Sequence, residues 1–386
     1  MKEIDPVVLS ERDRYLTFYS MDNSNVSLME KLAGLQVAAG EYQEAEALYL
    51  KLLSISPNHP QYLFQAAELD LIANRYDEAK AKLLDIHSQG YNETGILYNL
   101  AYAHFYLDEY EEANDVLNAV VADTIQAPNA NLLKAKTLHY LGDIEAAVDF
   151  ARKAVELRPD SADAQASLAL IYLDDDNLQA AEQHAKMSLK LDENNSYSLT
   201  VLASIAMGNQ DVCQANQYYL QAVENDSVNA RAWIGLGLIN LLNENMPMAI
   251  EQLRKSVELT PKFIGGYLAL GWACILYSAF DEAEKVFNDA NKVNPYVAEN
   301  HGGLAVIEAF RKNASAAKKH IAKAKFLDEH CFSICFAESL LANDDQNAEA
   351  HQLIISDFLN TEIEFGPDGQ KHSLRSIVQS LSVRKT

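Results

Sequence analysis

The chain has 386 residues, with 31 Lys plus Arg against 55 Asp plus Glu, a net charge of −24. Fifteen Gly and nine Pro are few for this length, which argues against a sandwich, a barrel or a collagen-like chain and for a largely helical one. A hydrophobic share of 49% supplies a core and sets the chain apart from disordered sequences.

No run approaches the ~20 apolar residues of a membrane helix. The first residues, charged from Lys2 and Glu3 through Arg14, lack the apolar stretch of a signal peptide. The four cysteines, Cys213, Cys274, Cys331 and Cys335, are too scattered for a disulfide framework, so a reducing, cytoplasmic setting is expected. Nucleic acids and anionic membranes both select positive surfaces, so neither is expected as a partner of so acidic a chain.

In chain order, Pro6–Ser20 reads as one helix and residues 21–25 as a polar link, together an N-terminal cap over 1–25. From Val26 a 34-residue period takes over. Ala45, Ala79, Ala113, Ala147, Ala181, Ala215, Ala249, Ala283 and Ala317 recur at one position, numbered 20 when Val26 is 1. Position 8 is always small, Ala33 through Ala203, then Gly237, Gly271 and Ala305. Position 7 is Leu except at Ala66 and Lys134, and Pro57, Pro159, Pro261 and Pro295 share position 32.

These positions have helical spacing, and small residues at 8 and 20 let two antiparallel helices approach closely. Proline then ends the second helix, because it cannot continue the hydrogen-bond ladder. Between the helices lie turns such as Gly40-Glu41-Tyr42, Asn74-Arg75-Tyr76 and Asp108-Glu109-Tyr110. Lys134, replacing a packed Leu, is expected to snorkel or to pair with a carboxylate. Residues 26–331 thus read as nine helical hairpins, each burying its apolar face only by stacking on a neighbour. Residues 332–386 read as a degenerate tenth hairpin, a turn at Gly366-Pro367-Asp368-Gly369, and a capping helix over Ser373–Ser382.

Trp233, Leu236, Gly237, Ala249 and Pro261, followed by Leu270, Gly271, Ala283, Phe287, Ala290 and Pro295, resemble the tetratricopeptide repeat pattern of W-x2-L-G-x2-Y, A-x3-F-x2-A and P. The resemblance implies an all-α, right-handed superhelical solenoid of antiparallel helix hairpins. It implies a non-catalytic scaffold, adaptor or chaperone-like role, with a peptide or helix of a partner held in a concave groove. In the family, first-helix positions 2, 5, 6, 9, 12 and 13 line that groove. Here they bring forward Phe64, Tyr98, Asn99, Tyr102, Phe105, Tyr106, Lys136, His139, Tyr140 and Trp272. Exposed aromatics make strong contact sites, although each ring has the alternative of packing inward. Phe64 and Tyr140 are expected to flank a Tyr98–Tyr102–Tyr106 stripe. The basic clamp of the carboxylate-binding branch is missing: no position 5 is cationic.

No catalytic motif stands out, and no cofactor or metal is expected. Gly235-Leu236-Gly237 sits inside a repeat helix rather than after a strand. His330, Cys331 and Cys335 could be metal ligands, but without a second pair they read as buried free cysteines at the repeat-to-cap junction. Residues 1–195 hold 15 basic and 33 acidic side chains, and a cationic segment flanking apolar anchors is the expected partner. The ninth repeat is basic, with Arg311, Lys312, Lys318, Lys319, Lys323 and Lys325. It reads either as a solvated face or as a contact for an acidic partner or a second copy. A self-associating array that uses its ends and this basic patch is accordingly the alternative function.

Overall fold

The computed structural model describes residues 5–123, 128–344, 362–364 and 371–373. They fall into two compact units that divide at Pro159 and Asp160. The first unit holds α1 (Pro6–Met21), α2 (Val26–Ala38), α3 (Tyr42–Ile55), α4 (Pro60–Ile72), α5 (Tyr76–Ser88), α6 (Thr94–Tyr106), α7 (Tyr110–Asp123), α8 (Pro128–Tyr140) and α9 (Ile144–Leu157). The second holds α10 (Ala162–Asp174), α11 (Leu178–Leu191), α12 (Ser196–Gly208), α13 (Val212–Asn225), α14 (Ala230–Leu242), α15 (Met246–Leu259), α16 (Ile264–Leu276), α17 (Phe280–Val293), α18 (Ala298–Phe310), α19 (Ala314–Leu327) and α20 (Phe332–Asp344). It also carries the antiparallel pair β1 (Glu362–Glu364) and β2 (Lys371–Ser373).

From Val26 to Phe332 every first helix begins 34 residues after the last, and the second helices keep the same step. Each helix packs antiparallel on its hairpin partner, and each second helix on the first helix of the next hairpin within its unit. All nine position-20 alanines are fully buried, as are the small residues at position 8. The helices before Pro57, Pro159, Pro261 and Pro295 end at Ile55, Leu157, Leu259 and Val293, two residues ahead of the ring.

The hairpin turn repeats too. Gly40, Asn74, Asp108, Gly142, Asp176, Gln210, Glu244, Ser278 and Lys312 all take the left-handed conformation, φ 56° to 82°. The next residue returns its N–H to a carbonyl five residues back, as Arg75 to Asp70 at 2.8 Å and Asn313 to Glu308 at 2.9 Å. This closes each first helix by a Schellman motif. Asn25, Ser161, Asn195 and Asn229, one repeat position, cap first helices by side chain. Asp143, Asn177, Asp211 and Asn313 do so for second helices.

Position 24 decides how hairpins fit. Its side chain fills space against position 8 of its own hairpin and position 6 of the next. A Cβ on Gly271 would lie 2.6 Å from the Phe287 ring, and one on Gly303 only 2.3 Å from it. Likewise a Cβ on Gly235 would strike Tyr219 at 2.2 Å, and one on Gly237 would strike Leu253 at 2.6 Å. The aromatic rings at 24, Tyr219 and Phe287, are thus accommodated by glycine opposite. Tyr49, by contrast, turns its hydroxyl to Gln65 at position 6, 3.3 Å away.

Several expectations change. Lys134 is buried, but its ammonium meets neutral oxygens of α7: Asn114 Oδ1, the Asn114 carbonyl at 3.2 Å and Asn118 Oδ1 at 2.8 Å. No carboxylate is among these partners, because α7 presents asparagines to that side. Burial holds the Lys134 pKa below the ordinary lysine value. Ser373, placed at the start of a capping helix, instead pairs with Glu362 in the sheet, and the expected 366–369 turn lies outside the described residues. The rest of the expected cap, 374–382, and the second half of the tenth hairpin lie outside the described residues. Cys331 is buried, but Cys335 is exposed, since i and i+4 here straddle the edge of the buried face.

Candidate functional site

In the first unit α4, α6 and α8 lie side by side as one layer, with α3, α5, α7 and α9 behind them. The outer face of that layer carries the aromatic positions. Residues 98, 102 and 106 step by four along α6 and so share one face. Their rings run on from one another, Tyr98 to Tyr102 with centroids 6.3 Å apart and Tyr102 to Tyr106 at 4.6 Å.

The predicted residues separate into three groups. Tyr98, Asn99 and Tyr102 line a cavity of about 430 Å³ together with Val37 of α2 and Gln65, Glu68, Leu69, Leu71 and Ile72 of α4. Phe105, Tyr106 and Tyr140 instead join Tyr76 and Tyr110, which stand at the hairpin turns. Tyr76 stacks on Tyr106 at 4.8 Å and 11°, and Tyr110 on Tyr140 at 4.7 Å and 7°. Phe105 meets Tyr106, Tyr110 and Tyr140 edge-on at 5.4 to 5.6 Å. His139 lies against Tyr140 at 6.1 Å, and Lys136 is half-buried on the same helix.

Phe64 sits at the α4–α6 seam, beside Gly95, which lies one turn before Tyr98. It is half-buried among Leu63, Leu100 and their neighbours, 3.9 Å from where a Gly95 Cβ would sit. Trp272 belongs to the second unit, where it packs edge-on to Phe287 and donates its indole N–H to Glu299 at 3.1 Å. Trp272 thus stands in a different unit from the tyrosine stripe.

Tyr76 and Tyr110 had a signal in the sequence. They stand 34 apart at position 17, and Tyr106 and Tyr140 stand 34 apart at position 13. Phe280 and Phe310 occupy the same two positions in the second unit and also stack, at 5.2 Å and 25°. The 17-to-13 stack is therefore a recurring clasp from one hairpin to the next. Tyr76 and Tyr110 each donate the hydroxyl to the left-handed turn residue two before, Asn74 at 2.7 Å and Asp108 at 2.8 Å.

The cavity's wall is mostly apolar, with a polar strip across it. Gln65 donates to Glu68 at 2.8 Å and Asn99 bonds the same carboxylate. Burial raises the Glu68 pKa, and those two bonds oppose the shift without cancelling it. Burial likewise raises the phenols of Tyr98 and Tyr102. Such a wall suits an apolar side chain with one hydrogen-bond donor beside it. Among the described residues no cluster of three His, Cys, Asp or Glu could hold a metal.

Models of the tetratricopeptide repeat match residues 27–59, 98–162, 132–196 and 200–262. The chain belongs to the tetratricopeptide repeat family. Its repeats make it a protein-interaction scaffold in general terms. No curated protein matches the sequence. A monomeric mutant of IFIT1 with m7Gppp-AAAA is similar in structure, with TM-score 0.58 and 16% identity over 100% of this chain and 96% of that one. The human IFIT1 dimer with m7Gppp-AAAA gives 0.56 and 16% over 92% and 94%, and with PPP-AAAA 0.54 and 18% over 92% and 95%. At this identity the likeness is one of fold.

These neighbours correct the exclusion of nucleic acid. Helical-repeat chains of this fold are held with capped and triphosphorylated RNA. Net charge, a sum over a whole surface, does not decide what one local face can hold. Among the described residues no helix is long and apolar enough to cross a membrane.

Proposed function

We propose that this tetratricopeptide repeat protein is a non-catalytic scaffold that holds an extended or helical segment of a protein partner against the α4–α6 face of its first unit. The cavity between Ile72, Glu68, Tyr98 and Tyr102 is the observation that supports this most. It is open, apolar on most of its wall, and provided with fixed acceptors at Glu68 and Asn99. The occupant would set one branched or aromatic side chain into it and lay its backbone along the tyrosine stripe. Aromatic rims of this kind give large contact area with little side-chain entropy to lose.

Peptides selected on the full chain from a displayed random library test the reading. Tyr98→Ala with Tyr102→Ala should weaken a selected peptide by ~2 kcal/mol or more, helicity unchanged. Glu68→Gln should weaken only those peptides that bring a donor. Peptides that bind the double variant with full affinity would sink the proposal. The RNA PPP-AAAA belongs in the same titration, because IFIT1 of this fold is solved with it. RNA displaced by the selected peptides would place nucleic acid, rather than protein alone, at this face.

A further inference from the structure

Helix α19 stands apart in charge. It carries Lys318, Lys319, Lys323 and Lys325 and no carboxylate, in a chain of net charge −24. Lys325 pairs with Glu338 at 2.7 Å, while among the described residues Lys318, Lys319 and Lys323 form no ion pair. Beside them a groove of about 360 Å³ runs between Pro295, Tyr296, His301, Ala322, Lys323, Phe326 and Leu327. Phe326 is 89% exposed and Tyr296 80%, more than any other large apolar or aromatic side chain described. Lys319, Lys323 and Phe326 fall at i, i+4 and i+7, on one helix face.

Under that face His301 and His320 lie 5.7 Å apart, each with a buried Nδ1 that has no hydrogen-bond partner. Burial, and then the Lys323 charge, hold both rings below the ordinary histidine pKa. The face thus combines lysines outside any ion pair among the described residues with two rings left in water. Two exposed rings in one small patch mark a surface that gains by being covered.

We propose that the Tyr296–Phe326 groove of the second unit docks a short acidic segment of a protein partner, which seats one apolar side chain between the two rings and sets its carboxylates against Lys319 and Lys323. Charge complementarity selects this occupant. A longer polyanion such as RNA fits less well, because the positive surface is short. Asp328 and Glu329 follow α19 directly and close off its C-terminal end with negative charge. A phosphate backbone running past the lysines would meet those carboxylates, whereas a compact segment needs the lysines alone. The proposal is independent of the first-unit cavity.

The test uses the full chain and a fluorescein-labelled probe of sequence Asp-Glu-Asp-Phe-Glu-Asp-Glu, read by fluorescence polarisation at about 50 and about 300 mM salt. Saturable binding is expected, at least fivefold weaker at the higher salt. Phe326→Ala and Lys323→Glu should each weaken it at least tenfold, while Tyr102→Ala in the first unit leaves it unchanged. Phe326 is so exposed that its truncation leaves the fold intact, and circular dichroism confirms that. Three results would overturn the proposal. The probe with Ala for Phe binds as well as the parent. PPP-AAAA binds more tightly and loses affinity in the same two variants, which makes the face a nucleic-acid surface. Sedimentation shows a dimer of the chain that Phe326→Ala abolishes, which makes it an interface between copies.

Discussion

At the scale of single residues, the most informative are those held in the left-handed conformation. Seven of the nine hairpin turns place a non-glycine residue there, among them Gln210, Glu244, Ser278 and Lys312, all at φ 60°. An L side chain in that region crowds its own backbone, at a cost of ~1 kcal/mol. Lys312→Gly and Glu244→Gly should therefore each raise the melting temperature, with a gain in stability of up to ~1 kcal/mol less the added freedom of the unfolded chain. Thermal denaturation followed by circular dichroism checks this, and a drop would mean that the side chain makes a contact worth more than the strain. Lys134 belongs to the same scale. A buried ammonium with neutral partners is compensated only in part, so Lys134→Met should raise the melting temperature. Its folded pKa is depressed, so the unfolded chain binds the proton more tightly. The penalty is full below the folded pKa and fades as pH rises towards the unfolded value of 10.5. The gain from Lys134→Met should shrink over that window.

At the scale of elements, helix type and register were legible because the period is strict. Nine buried alanines in one register leave no freedom to slide a helix, and the prolines fix where second helices stop. The clasp between position 17 of one hairpin and position 13 of the next is less legible, although Tyr76, Tyr110, Tyr106 and Tyr140 all stand on the period. The tyrosines sit beside Asn74 and Asp108, and turn chemistry masked their stacking. The distinction has consequences for mutation. Tyr106→Ala should destabilise the fold by ~0.5–1.5 kcal/mol beyond the lost area, with Tyr106→Phe close to the parent. Tyr102→Ala should act chiefly on binding. Gly303→Ala should cost ~1–3 kcal/mol, because its methyl would meet the Phe287 ring. Phe287→Leu in the same chain should recover part of the loss, since the shorter side chain leaves room. If the double variant melts below both single ones, position 24 is not what holds that joint.

At the scale of the whole chain, acidity misled as a guide to partners. The net charge of −24 is spread unevenly, and the cationic helix α19 is no less real for being outvoted. A second whole-chain property comes from the tyrosines. Burial raises the phenols of Tyr49, Tyr76, Tyr98, Tyr102, Tyr110, Tyr219 and Tyr267, and that of Tyr62, beside Glu30, to about 12. Raised folded values mean that stability is intact below pH 10, the unfolded value, and falls as pH climbs through the folded ones. Absorbance at the tyrosinate band should lag behind free tyrosine between about pH 10 and 12. It should then rise together with loss of helicity. Ionisation complete by pH 10.5 with the helices intact would contradict the burial described.

The fit between position 24 and the next position 6 makes the order of hairpins matter, as the order of teeth matters on a key. Consider excising whole 34-residue blocks. Removing 94–127 would bring Leu83 against Leu133, the pairing that Leu117 already makes with Leu133. Removing 230–263 would set Tyr219 against Ala269 in place of Gly235, and removing 298–331 would set Phe287 against Ala337 in place of Gly303. Each of those two puts a methyl where the ring now lies. Equal-length deletions should thus divide into tolerated and rejected ones. The chain can be shortened by one tooth at some joints and not at others, so its hairpins are successive parts of one sequence rather than interchangeable copies.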